Sequence, residues 1–170
     1  MSVLVISASK HGATREIAEA ISRILNANGV NASSEDAGGQ PEVADHAAFV
    51  VGSAVYTGRW LKDARDFVAD HAAVLSTHPT WLFSSGPLGN PSKPDDAHAV
   101  DVTDVIKRTA AREHRLFSGK LDKAGLGFGE RALVSSVRAV DGDYRDWNEI
   151  ESWARGIAAA LTPVTMRGTR

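Results

Sequence analysis

The sequence predicts a doubly wound α/β domain, a parallel sheet with helices on both faces, on three observations. Three short apolar runs, residues 3–6, 48–53 and 80–84, are rich in β-branched and aromatic residues and read as strands buried on both sides. Each run passes through a polar loop into apolar residues at helical spacing, the alternation of a parallel sheet. The 170 residues, 43% of them hydrophobic, suffice for one core, and no compositional break divides them. Residues 1–161 are therefore read as one domain. Residues 162–170, with Pro163 and two arginines but no apolar pattern, read as a frayed tail.

Composition removes several function classes. The chain has no cysteine, so disulfides, thiolate nucleophiles and Cys-ligated metals are excluded, and redox chemistry would need a bound organic cofactor or a metal held by other ligands. A net charge of −2 offers no basic excess for nucleic acid. Lys10 interrupts the N-terminal apolar run before a signal peptide is complete, and no stretch reaches membrane-spanning length. The expectation is a cytoplasmic protein without a transmembrane segment, contact with a membrane surface staying open. None of the six histidines pairs at metal-ligand spacing, and Asp95, Asp96 and His98 read as a solvated loop, so no metal is expected.

Taken in order, the first strand, Val3-Leu4-Val5-Ile6, leads through Ser7 to Gly12 into a helix whose apolar stripe is Ile17, Ile21 and Ile24, stopped by Asn28-Gly29. Residues 30–36 alternate weakly and suit an edge strand. Gly38, Gly39 and Pro41 mark a loop, with a helical turn expected at Glu42–Asp45. The strand 48–53 runs into a loop holding Tyr56, Thr57, Gly58, Arg59 and Trp60. A long helix follows on Leu61, Ala64, Phe67, Val68, Val74 and Leu75, broken at His78-Pro79. The strand 80–84 leads to Ser85–Gly89 and a polar loop with Pro91 and Pro94. A helix then begins behind Asp101 on Val102, Val105 and Ile106, and residues 114–118 form a short final strand. The segment 119–140, with a helix expected at Glu130–Val137, is longer than a simple connection requires. The last helix has the clearest periodicity, Trp147, Ile150, Ala154, Ile157 and Leu161, with Asp146 and Glu149 as an Asp variant of a capping box.

The chemistry concentrates in Ser9-Lys10-His11-Gly12-Ala13-Thr14. A helix that starts at the carboxyl end of a buried strand aims its free N–H groups and its positive dipole end at one point. Ser9, Thr14 and the Gly12 amide add donors, which makes an anion seat suited to phosphate. The turn has one glycine, so it is neither a dinucleotide fingerprint nor a Walker loop. An ordinary turn with a Ser N-cap is the alternative.

This turn resembles the phosphate loop of flavodoxin-type proteins, where hydroxyls and amides hold the phosphate of FMN. Together with Gly52-Ser53-Ala54-Val55-Tyr56-Thr57-Gly58 and Gly142-Asp143-Tyr144-Arg145-Asp146-Trp147, it most resembles flavodoxin-type, menaquinone-dependent protoporphyrinogen IX dehydrogenases and their uncharacterised relatives. The resemblance implies a flavodoxin-like three-layer α/β/α fold with a five-stranded parallel sheet in the order 2-1-3-4-5. It also implies FMN in the crevice between strands 1 and 3. Carried onto this chain, the FMN-binding residues are Ser9, Lys10, His11, Gly12, Ala13 and Thr14 for the phosphate; Ser53, Ala54, Val55, Tyr56, Thr57 and Gly58, with Tyr56 as stacking face and Trp60 as the less favoured partner; and Ser85, Gly86, Pro87, Leu88 and Gly89 for the ring's polar edge. No catalytic residue is assigned. The family passes electrons from a porphyrinogen to a quinone. The segment 119–140 matches its extra segment in place but is shorter, less basic and less aromatic than the enzyme's.

Two functions follow, an FMN-dependent oxidoreductase with small-molecule or quinone partners, or an electron carrier that docks with redox proteins. Carrier flavodoxins commonly cover both ring faces with aromatics, whereas residues 86–98 here contain none, which favours the enzyme. Arg59 beside Tyr56 favours uptake of electrons in pairs, if it stands in a partly desolvated site. Gly58 argues the other way, because the matching peptide of flavodoxins turns its carbonyl to flavin N5 in the one-electron state. A response-regulator receiver is set aside, because Ser7, Ser9 and Ser53 stand where its acidic residues would be, and no Gly-x-Ser-x-Gly hydrolase elbow occurs.

Overall fold

The computed structural model describes residues 1–86, 101–121, 127 and 142–163. Pro87, Leu88, Gly89, Asp95, Asp96 and His98, the helix expected at 130–137 and the tail from residue 164 lie outside the described residues.

Five parallel strands build the sheet: β1 (Ser2–Ala8), β2 (Asn31–Asp36), β3 (Ala48–Tyr56), β5 (Thr80–Ser85) and β6 (Glu113–Phe117). Their order is β2-β1-β3-β5-β6, with β4 (Arg59–Trp60) antiparallel beside β3. Counting the parallel strands alone, this is the expected 2-1-3-4-5. Apolar runs without polar alternation occupy the centre, where β1, β3 and β5 are buried on both faces. The half-polar sequence of β2 and the charged β6 take the edges.

Alternation along each strand divides the core in two. Val3, Val5, Ala48, Val50, Trp81 and Phe83 face α1 (Ala13–Ala27) and the C-terminal helix α4 (Trp147–Leu161). Leu4, Ile6, Phe49, Val51 and Leu82 face α2 (Lys62–Thr77) and the short α3 (Thr103–Thr109). Gly29, at φ +80°, sits just beyond the C-cap Asn28, as the Asn-Gly pair predicts. Asp146 caps α4 by accepting the N–H groups of Asn148 and Glu149.

The structure corrects several readings. The helical turn expected at 42–45 is a single turn closed by the His46 N–H on Val43 O, and a 3-10 turn that the sequence reading took as loop precedes it at Ala37–Gly39, where Asp36 captures the Gly38 N–H. Within the α1 stripe Leu25 is fully buried while Ile24 is only partly covered. Trp147, assigned to the core stripe, is 41% exposed: it opens α4, beyond the sheet, and lies against Arg145 instead. The loop expected at 56–60 is a tight hairpin between β3 and β4. Short strands β7 (Lys120–Leu121) and β8 (Gly142–Asp143) pair antiparallel, closing the neck of the 119–140 segment.

Candidate functional site

At the carboxyl end of β1 the chain turns through Gly12, whose φ of +89° only glycine adopts without strain, into α1. Ser9 Oγ accepts the Gly12 N–H at 3.0 Å, so that amide is engaged within the turn rather than left as a donor. Ser9 thereby closes the turn, and Gly12, not Ser9, is the N-cap. The first intrahelical bond runs from Glu16 N to Gly12 O. The amides of Ala13, Thr14 and Arg15 have no acceptor among the described residues, as the first turn of a helix dictates. The Thr14 side chain joins them. Thr14 is 2% exposed, and its hydroxyl has no partner among the described residues. A buried, unsatisfied hydroxyl beside three unsatisfied amides at a helix N-terminus fits a phosphate group.

The second loop rises beside the first because Ala8 of β1 lies opposite Ser53 of β3. Ser53 Oγ accepts the Leu61 N–H and donates to Ala54 O, which ties the start of α2 to the end of β3. Thr57 and Gly58 both have positive φ, 50° and 74°, the geometry of a two-residue hairpin turn that presents Tyr56 and Arg59 as a facing pair. The Lys10 ammonium stands over the Tyr56 ring, 5.2 Å from its centroid. The turn at residues 9–14 and the aromatic residue thus meet. Partial burial raises the Tyr56 phenol pKa.

Trp60 is fixed in the core. Its Nε1–H donates to Ser84 Oγ at 2.7 Å, and Ser84 Oγ is 2.8 Å from His114 Nε2. It therefore anchors the hairpin from below. The third loop contributes Ser85 and Gly86: Ser85 lies opposite Ala54, and a β-carbon on Gly86, at φ +92°, would lie 3.9 Å from Val55 O. Ser7 and Ser85 are further buried hydroxyls without a partner among the described residues, at the carboxyl ends of β1 and β5. Ser7 escaped the sequence reading, since a serine ending an apolar strand carries no local signal of its accessibility.

Arg59 is exposed and lines a surface cleft of about 270 Å3 with Arg65, Val105 and Arg108, so the partly desolvated charge on which the electron-pair argument relied is not present. Gly58 O, by contrast, is already held by the Asp101 N–H at 2.8 Å.

The sequence reading gave Arg145 no role, yet its side chain is 4% exposed. Nε and one terminal nitrogen grip both oxygens of Asp143, at 2.8 and 2.7 Å. The other terminal nitrogen reaches Glu16 Oε2 at 2.5 Å and Ala13 O at 3.2 Å. This fork depresses the Asp143 carboxyl pKa through its hydrogen bonds. No local sequence pattern encodes a contact between residues 16 and 145.

Among solved structures the chain is similar to oxidised flavodoxin 1 of Bacillus cereus, 16% identical over 95% of this chain and 100% of that one, with a TM-score of 0.63. The flavodoxin of Streptococcus pneumoniae TIGR4 is 20% identical over 95% and 100%, also at 0.63. The rubredoxin oxygen:oxidoreductase of Desulfovibrio gigas matches 94% of this chain at 13% identity and a TM-score of 0.62, and the chain spans only 36% of that protein's length. At such identities the likeness concerns the fold alone. No curated protein sequence matches. A family model described as a flavodoxin domain matches residues 4–148, most of the chain, and on that match the protein belongs to the flavodoxin-domain family.

Proposed function

We propose that this chain binds FMN at the carboxyl ends of β1, β3 and β5 and acts as an FMN-dependent oxidoreductase of the dehydrogenase or quinone-reductase type. The observation that carries the reading is the buried, unpartnered Thr14 hydroxyl beside the unpartnered amides of Ala13, Thr14 and Arg15. A single helix N-terminus of this kind suits one phosphate, hence FMN rather than a dinucleotide. Tyr56 supplies an apolar stacking face and Lys10 a nearby positive charge. FMN, when bound, supplies a reversible two-electron redox centre.

The residues of the chain bind and orient. Gly12 and Ser9 hold the turn that presents the amides, and Trp60 and Ser84 hold the hairpin that presents Tyr56. The Asp101 N–H occupies Gly58 O, so turning that carbonyl toward the ring would cost an existing hydrogen bond. This supports electron uptake in pairs in place of the Arg59 argument. The absence of aromatics from residues 86–98 supports a ring open to a small molecule. In the reaction class proposed, a porphyrinogen-like donor loses two electrons and two protons, and a quinone gains both to become a hydroquinone.

The test begins with the absorbance spectrum of the purified protein after FMN addition. Replacing both Ser9 and Thr14 by alanine is expected to weaken FMN binding by about 1–3 kcal/mol, and unchanged affinity rejects the phosphate assignment. Anaerobic reoxidation of the reduced holoprotein by quinones, faster than by protein acceptors, is expected of the enzyme. The reverse order makes it a carrier.

A further inference from the structure

In the Asp143–Arg145–Glu16 cluster the guanidinium is buried while the two carboxylates stay about half exposed, so the desolvation cost falls on Arg145. Taking ions out of water offsets most of the attraction between them, so a buried guanidinium fork specifies geometry more than it stabilises. What it specifies is the first turn of α1. One terminal nitrogen of Arg145 holds both Ala13 O and Glu16 Oε2, and the ring of Trp147, 4.6 Å from Arg145 Cζ, covers the guanidinium. Glu16 carries the first carboxylate after the three unpartnered amides, within one turn of them. A carboxylate there is favourable to the helix dipole but unfavourable to a phosphate seated on the same amides.

We propose that Arg145 is the positioning residue of the phosphate turn, holding the Glu16 carboxylate in an ion pair and fixing Ala13 so that the α1 N-terminus accepts a phosphate-bearing ligand. The proposal rests on the reading of residues 9–14 as a phosphate seat. Asp143 holds the guanidinium by both oxygens, so the fork keeps one orientation as Glu16 and Ala13 are drawn to it. Lysine at this position would keep the charge but lose the planar fork that reaches three groups at once.

The experiment compares FMN with riboflavin, which lacks the phosphate, by flavin fluorescence titration of the full chain. Arg145→Met is expected to weaken FMN binding about tenfold or more and to leave riboflavin binding unchanged. Adding Glu16→Gln to that variant is expected to recover most of the loss, whereas a merely structural Arg145 would not be rescued by removing a charge. Glu16→Gln alone, at a half-exposed position, keeps the fold and is expected to raise FMN affinity about threefold. Equal losses for both flavins in Arg145→Met, no recovery in the double variant, or weaker FMN binding in Glu16→Gln each overturn the proposal. If the unaltered chain binds FMN no more tightly than riboflavin, the phosphate seat itself is wrong and the positioning role falls with it. A wild-type preference for FMN that survives Arg145→Met unchanged retains the seat and rejects the role of Arg145.

Discussion

A β-carbon on Gly52 would lie 2.1 Å from Phe83 Cζ, with two more ring atoms within 2.5 Å. The ring cannot retreat, because it is fully buried with Phe117 and Trp153 at centroid distances of 6.0 and 6.2 Å. Gly52→Ala is therefore expected to destabilise by about 3 kcal/mol, read from denaturant unfolding, and a loss below about 1 kcal/mol would show that the ring can move. His114 makes a second prediction at this scale. Ser84 Oγ accepts from Trp60 and lies 2.8 Å from His114 Nε2, which takes the serine proton or donates to the oxygen's second lone pair according to its tautomer. Burial lowers the His114 pKa below its ordinary value. A depressed pKa contributes stability above the unfolded value, about 6.5, and that stability is lost as pH falls through the folded value. Between pH 7 and 5 the wild type should lose more stability than His114→Gln. Parallel decline of the two melting temperatures would remove His114 from the account.

At the scale of elements, the hairpin between β3 and β4 holds a β-branched residue where its turn needs left-handed backbone. Thr57 at φ 50° is strained there, whereas asparagine tolerates the region and is favoured before glycine in such turns. Thr57→Asn is expected to raise the midpoint of denaturation by an amount equivalent to about 1 kcal/mol. An unchanged midpoint would mean that the threonine is unstrained. This hairpin also marks the limit of what the sequence disclosed. Contiguous apolar runs made β1, β3 and β5 legible, and helical spacing with an Asp cap made α4 legible. A two-residue return strand with Thr-Gly at its tip offers neither signal, and reads as loop. Trp147 was misread because periodicity reports a shared face and not whether a partner lies opposite it. The strand-to-helix turn at residues 9–14 was legible because an apolar run followed by a polar turn and a helical stripe fixes such a junction locally. The Arg145 fork was not, because its partners are 2 and 129 positions away.

At the scale of the molecule, the described residues place two helices on each face of the sheet over two cores, and the two are not equally served. On the α1/α4 side both helices are fifteen residues long, while on the other side, among the described residues, the sixteen-residue α2 is joined by the seven-residue α3. The α2/α3 layer buries less helix, so amide hydrogen exchange should find α3 opening before α4. Comparable protection in α3 and α4 would contradict this.

The pairing of Lys120 with Asp143 and Leu121 with Gly142, extended by the bond from Tyr144 N to Gly119 O, brings the two ends of residues 122–141 to neighbouring strands. Joining Leu121 to Gly142 through an Asn-Gly turn should leave a folded domain with a melting temperature within about 5 °C of the original, since each halving of a connection recovers about 0.6 kcal/mol of closure entropy. The Arg145 fork lies outside the exchanged stretch and would survive the exchange. The paired strands thus set the two ends of that stretch side by side, so its length can change without redesign of the sheet beneath it.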